Sequence, residues 1–215
     1  MTAPQGAPRV YLITDRRATN GRPLVDVIAR ALDGAGAHAP AVAVQLREKD
    51  LEARPLLDLA RALRAITAGR GARLFVNDRI DVALATGADG VHLGGGALAA
   101  ADVHAIAPGL DIAVSTHARA DVLQQRDTSR LSFVVFGPVF ETPSKRNYGP
   151  PVGLAALHDA CATGVPVLAL GGVDADRAPA CRAAGAAGVA VIRAVLAADD
   201  PGRAMAGFFG AIEST

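Results

Sequence analysis

Tryptophan is absent from this 215-residue chain, aromatic residues make up only 4% of it, and there are two cysteines. So few rings leave no row of exposed aromatics on which nucleic-acid bases stack. Lysine plus arginine (22) almost balances aspartate plus glutamate (21), for a net charge of +1. That balance lays down no basic footprint for nucleic acid or for an anionic membrane. Cys161 and Cys181 form no disulfide framework and match no zinc spacing. Each falls in a predicted helix and reads as a small core or near-core residue in a reducing compartment. No apolar run approaches the ~20 residues of a membrane span, and no N-terminal segment joins a charged start to an apolar run and a cleavage site. The expectation is a soluble cytoplasmic protein with no nucleic-acid or membrane partner. Self-association stays open, a homo-oligomer included.

What the chain has is alanine, glycine and valine, with 51% hydrophobic residues. It is long enough for one sizeable core, and residues 1–215 read as one domain whose first eight residues are a loose tail. Short apolar runs at Val10–Thr14, Ala41–Leu46, Leu74–Val76, Gly90–Leu93, Ile112–Val114, Phe133–Phe136, Val167–Ala169 and Gly188–Val191 are too short for helices and predict strands. Helical patterns lie between them at Leu51–Thr67, Ile80–Thr86, Leu98–Ile106, Arg119–Arg126, Gly153–Ala162, Ala175–Ala184 and Pro201–Ile212. Such alternation calls for a parallel sheet with right-handed crossovers, and strands apolar throughout suit burial on both faces. The fold class is α/β. Eight strands fit a closed (β/α)8 TIM barrel, although a doubly wound sheet shares the same grammar.

In a barrel, chemistry collects at the C-terminal ends of the strands. After the second run, Gln45, Arg47 and Lys49 alternate along an extended segment and therefore point one way, an amide and two cations suited to an anion. After the third come Asn77, Asp78 and Asp81. Asn77 or Asp78 suits a helix cap, Asp78 equally suits a Mg²⁺ ligand, and Asp81 suits a first helical turn. His92 has no partner nearby in sequence and reads as a core histidine; Gly94–Gly96 allow a tight turn or close approach to a ligand. Ser115 and Thr116 suit caps, and His117 suits a general acid or base near neutral pH. Thr142, Ser144 and Lys145 place two hydroxyls and an amine in a loop of glycine and proline, the groups that bind phosphate. Gly171-Gly172 opens a helix after the seventh run and Ile192-Arg193 opens another after the eighth, each offering free N–H groups to an anion. Anion-binding or proton-transfer groups at several strand ends point to an enzyme acting on phosphorylated small molecules.

The motifs Tyr11–Arg16 (YLITDR), Val44–Lys49 (VQLREK), Phe75–Asp81 (FVNDRID), Gly90–Gly94 (GVHLG), Val114–His117 (VSTH), Gly137–Lys145 (GPVFETPSK), Gly149–Leu154 (GPPVGL), Ala169–Val173 (ALGGV) and Gly188–Ile192 (GVAVI) occur in an order that resembles the thiamine-phosphate synthase family. The resemblance implies a (β/α)8 barrel that joins hydroxymethylpyrimidine pyrophosphate to thiazole phosphate and releases pyrophosphate. It implies that Gln45, Arg47, Lys49 and Asn77 bind the pyrimidine pyrophosphate. It further implies that Asp78 ligates Mg²⁺, that Ser115 sits by the reacting pyrimidine, and that Thr142, Ser144 and Lys145 bridge the phosphates. Gly172 with the Ile192-Arg193 backbone would take the thiazole phosphate. The chain departs from the family pattern twice. Gly94-Gly95-Gly96-Ala97 stands where synthases carry Gly-Gln-x-Asp, so the second metal-binding carboxylate is replaced by Ala97, and Arg193 stands where a Ser is usual. A sister branch, the thiazole tautomerases, also lacks that carboxylate and uses a His at the position of His117. This keeps a tautomerase, or a non-catalytic barrel that binds thiamine precursors, as alternatives to the synthase.

Overall fold

The computed structural model describes residues 6–142 and 150–213. Eight parallel strands close on themselves in sequence order. They are β1 (Val10–Ile13), β2 (Val42–Leu46), β3 (Arg73–Asn77), β4 (Gly90–Leu93), β5 (Asp111–Thr116), β6 (Leu131–Phe136), β7 (Val167–Leu170) and β8 (Gly188–Val191). Closure is made by β1 against β8, with Val10 opposite Val189 and Leu12 opposite Val191. That pairing excludes the doubly wound alternative, since an open sheet leaves its edge strands unpaired.

Helices α1 (Leu24–Ala35), α2 (Ala53–Ala68), α3 (Ile80–Thr86), α4 (Ala100–Ile106), α5 (Arg119–Gln124), α6 (Gly153–Cys161), α7 (Ala178–Ala183), α8 (Arg193–Leu196) and α9 (Pro201–Glu213) return the chain between strands or follow the last of them. Their apolar stripes lie against the sheet: α1 buries Leu24, Val27, Ile28, Ala31 and Leu32, a helical spacing. Where α1 meets α9, Gly34 faces Gly202 so closely that a Cβ on Gly34 would lie 2.1 Å from the Gly202 carbonyl oxygen.

Alternation along the strands sorts residues between two cores. Val10, Leu12, Val42, Val44, Leu74, Val76, Val189 and Val191 face the helices. Tyr11, Ala43, Phe75, Ala113, Phe133, Val135, Leu168 and Ala190 fill the lumen. Three of these form an edge-to-face aromatic plug, with ring centroids 5.8 Å apart for Tyr11–Phe75, 4.9 Å for Tyr11–Phe133 and 5.4 Å for Phe75–Phe133.

Residues 6–8 are more ordered than the expected tail. Pro8 is buried, and the Gly6 carbonyl accepts a 2.7 Å hydrogen bond from the Arg73 guanidinium. The cysteines sit in α6 and α7 as expected, and burial pushes both thiols up to about 11, which keeps them protonated and unreactive. No helix among the described residues is long and apolar enough to cross a membrane.

Candidate active site

Above the aromatic plug, the C-terminal strand ends form a polar mouth. β2 contributes Gln45, β3 ends on Asn77, β4 contributes His92 and β5 contributes Ser115. Thr142 follows β6, Gly172 follows β7, and Ile192 with the exposed Arg193 follows β8. Every site residue expected at the mouth and lying within the described residues is therefore at one end of the barrel. Ser144 and Lys145 lie outside the described residues.

The segment after β2 alternates as expected. Arg47 and Lys49 are exposed while Glu48 between them is buried. Glu48 holds the turn down: its carboxylate accepts the Arg16 backbone N–H at 3.1 Å and the Arg16 guanidinium at 3.0 Å. Arg16 continues to Asp50 through a two-pronged pair at 2.6 and 2.7 Å, and this pairing draws the Asp50 carboxyl down to about 2. Thr14, fully buried, accepts the Arg47 N–H at 2.8 Å. The loop is thus fixed from beneath and its two cations are left to the mouth. Their charge reaches His92, where burial, and after it Arg47 and Lys49, push the imidazole down to about 3. Gln45 is 1% exposed, and both polar atoms of its amide lack a hydrogen-bond partner among the described residues. A buried amide without partners suits a ligand that supplies them.

Asn77 and Asp78 do not cap α3, whose first flanking residue is Arg79 without a side-chain cap. Asp78 has a left-handed backbone (φ 57°) that turns its carboxylate across to the β4 loop. There Oδ1 accepts the Gly94 N–H at 2.9 Å while Oδ2 accepts the Asn77 amide at 2.8 Å. Asp81 is taken by the Arg79 fork at 2.8 and 2.5 Å. No cluster of three or more His, Cys, Asp or Glu among the described residues forms a cation cage.

Ser115 and Thr116 are not caps either, because α5 starts beyond them. The Asp121 carboxylate accepts the N–H groups of His117 and Ala118 at 2.9 Å each. Ser115 Oγ instead meets His92 Nε2 at 2.8 Å, and His92 Nδ1 meets the Tyr11 hydroxyl at 3.3 Å. His92 is the buried core histidine expected, here with both ring nitrogens partnered, while Tyr11, from the plug beneath, was given no role by sequence reasoning; its lumen-facing strand parity was the available signal. His117 donates from Nδ1 to the Gly137 carbonyl at 2.6 Å, which leaves Nε2 without a hydrogen-bond partner among the described residues.

Gly171 and Gly172 do not open a helix. α7 begins at Ala178, after buried Val173 and a turn in which Asp174 accepts the Arg177 N–H at 2.9 Å. Gly172 has φ 63°, and an added Cβ would lie 2.5 Å from the Glu141 carbonyl oxygen. The loop bearing Thr142 therefore lies on the β7 loop, pinned by Val139 N to Leu170 O at 2.8 Å and Phe140 N to Gly171 O at 2.9 Å.

Residues 10–195 match the family described as "Thiamine monophosphate synthase". The chain belongs to this family. It is 50% identical over 200 residues to a putative thiamine-phosphate synthase of Geobacter sulfurreducens, covering 89% of this chain and 88% of the relative. It is 45% identical over 200 residues to the thiamine-phosphate synthase of Roseiflexus castenholzii, covering 92% and 85%. Among solved structures, the thiamine phosphate pyrophosphorylase of Pyrococcus furiosus superimposes with a TM-score of 0.85 at 33% identity, over 96% of each chain.

Proposed function

We propose that the protein is a thiamine-phosphate synthase, a transferase that joins hydroxymethylpyrimidine pyrophosphate to thiazole phosphate. The observation that carries this reading is the convergence of Gln45, Asn77, Asp78, Ser115, Thr142, Gly172 and Ile192 on one barrel mouth, with Arg47 and Lys49 at its rim. Gln45, Arg47, Lys49 and Asn77 hold the pyrimidine pyrophosphate, Thr142, Ser144 and Lys145 bridge the phosphates, and Gly172 with the Ile192-Arg193 backbone takes the thiazole phosphate. The bond from the pyrimidine methylene carbon to the pyrophosphate oxygen breaks with its electron pair leaving on oxygen. The aminopyrimidine feeds electron density to the carbon left behind, and the thiazole nitrogen lone pair then forms the new C–N bond. The cations stabilise the departing charge, and the remaining work is positioning.

Asp78 fits Mg²⁺ as one carboxylate of a shared site. Each of its oxygens has one hydrogen bond that fixes its direction, and each keeps a free lone pair. With Ala97 in place of a second carboxylate, Asp78 would hold a metal that arrives with the pyrophosphate rather than one bound by the protein alone. When bound, Mg²⁺ neutralises charge on the leaving pyrophosphate. Two phosphorylated substrates, which do not cross membranes unaided, suit cytoplasmic work.

Incubating the purified protein with both substrates and Mg²⁺ and following thiamine phosphate tests the reading; formation of product is expected. Ala97 favours a second reading, the thiazole tautomerase, in which His117 would move the proton. Metal-independent conversion of the thiazole phosphate tautomer, lost in His117→Ala, with no thiamine phosphate at any Mg²⁺ concentration, would replace the first reading with the second.

A further inference from the structure

Three lumen side chains from three strands form one hydrogen-bonded line: Tyr11 on β1, His92 on β4 and Ser115 on β5. Tyr11 is fully buried, His92 is 3% exposed and Ser115 is partly exposed at the mouth. The Tyr11 ring is also stacked near His92, with centroids 5.8 Å apart and 28° between planes. Burial pushes the phenol well above its ordinary value, so it keeps its proton. That buried proton requires an acceptor. The Gln45 amide lies beside the phenol without meeting hydrogen-bond geometry, which leaves His92 Nδ1 as the acceptor. A neutral imidazole that accepts at one nitrogen donates at the other. Nε2–H therefore points at Ser115 Oγ and occupies an oxygen lone pair. The Ser115 proton has no further acceptor among the described residues.

We propose that Tyr11 and His92 are positioning residues that set the polarity of the Ser115 hydroxyl, so that its proton is offered to the bound substrate. The opposite polarity, with Ser115 donating to Nε2, would make Nδ1 a donor and leave the buried phenol proton with no acceptor in hydrogen-bond geometry among the described residues. The proposal rests on the synthase reading only in taking the substrate to be the pyrimidine pyrophosphate; the line itself belongs to the resting protein.

Two measurements test it. ¹⁵N NMR of histidine-labelled protein without substrates should show His92 protonated at Nε2 and bare at Nδ1, and Tyr11→Phe should disturb that pattern while preserving the ring. In steady-state synthase assays, Tyr11→Phe should lower kcat/KM on the order of 10-fold, less than the 10²–10³ for deleting a transition-state donor outright. The loss should vanish when Ser115 is already alanine. His92→Gln, which keeps an N–H near the Nε2 position, should retain more activity than His92→Leu. A His92 protonated at Nδ1 in the wild-type protein would overturn the proposal, and so would a Tyr11→Phe loss equally large with and without Ser115. Should the wild-type protein make no thiamine phosphate, the synthase reading falls while the NMR result still decides the polarity.

Discussion

Burial holds His92 neutral down to about pH 3, whereas a histidine in an unfolded chain takes up its proton near pH 6.5. Below about pH 6.5 the unfolded state therefore binds a proton that the folded state refuses. Stability from this residue is lost as pH falls through that window, at up to about 1.4 kcal/mol per pH unit. Urea midpoints at pH 7 and pH 5 should differ more for the wild-type protein than for His92→Gln. The rim cations make a separate prediction: Arg47→Ala should cost on the order of 2–4 kcal/mol of transition-state stabilisation, read as a fall in kcat/KM. Gln45, Arg47, Asn77 and Ser115 were legible because each follows an apolar run at the correct strand parity. The link from Tyr11 to His92 was not, because the two are 81 positions apart and only barrel closure brings them together.

The turn after β2 is an element whose order comes from one buried carboxylate. Glu48→Gln keeps the shape but removes the charge that holds Arg16. It should lower stability by about 1.5–3 kcal/mol, the value of a hydrogen bond to a charged group. Because Glu48 faces away from the mouth, kcat/KM should fall through loosening of Arg47 and Lys49, and added salt should not restore it. Chemical denaturation and steady-state kinetics check the two effects. Most elements were readable from apolar spacing, β4, β8 and α3 to the residue. α1 was not among the expected helices although it has the same stripe; near its C-terminal end, Gly34 lets two backbones cross. Gly171-Gly172 misled in the opposite sense. Glycine before a helical pattern suggested a helix start, and the close packing of the β6 loop is what requires it.

At the scale of the whole molecule, strand and helix alternation could not separate a closed barrel from an open sheet, and the β1–β8 pairing decides it. The same closure brings the two ends of the described chain together. Arg9, just before β1, pairs with Glu213 at the end of α9 at 3.0 Å, on the floor opposite the polar mouth. A ring of this kind has no privileged starting point. A circular permutant that links residue 213 to residue 6 through a short glycine-serine bridge and begins in the floor turn between α5 and β6, near Asp127, should fold to the same barrel. Circular dichroism and turnover close to those of the parent would bear this out, since neither the new junction nor the new ends approach the substrates.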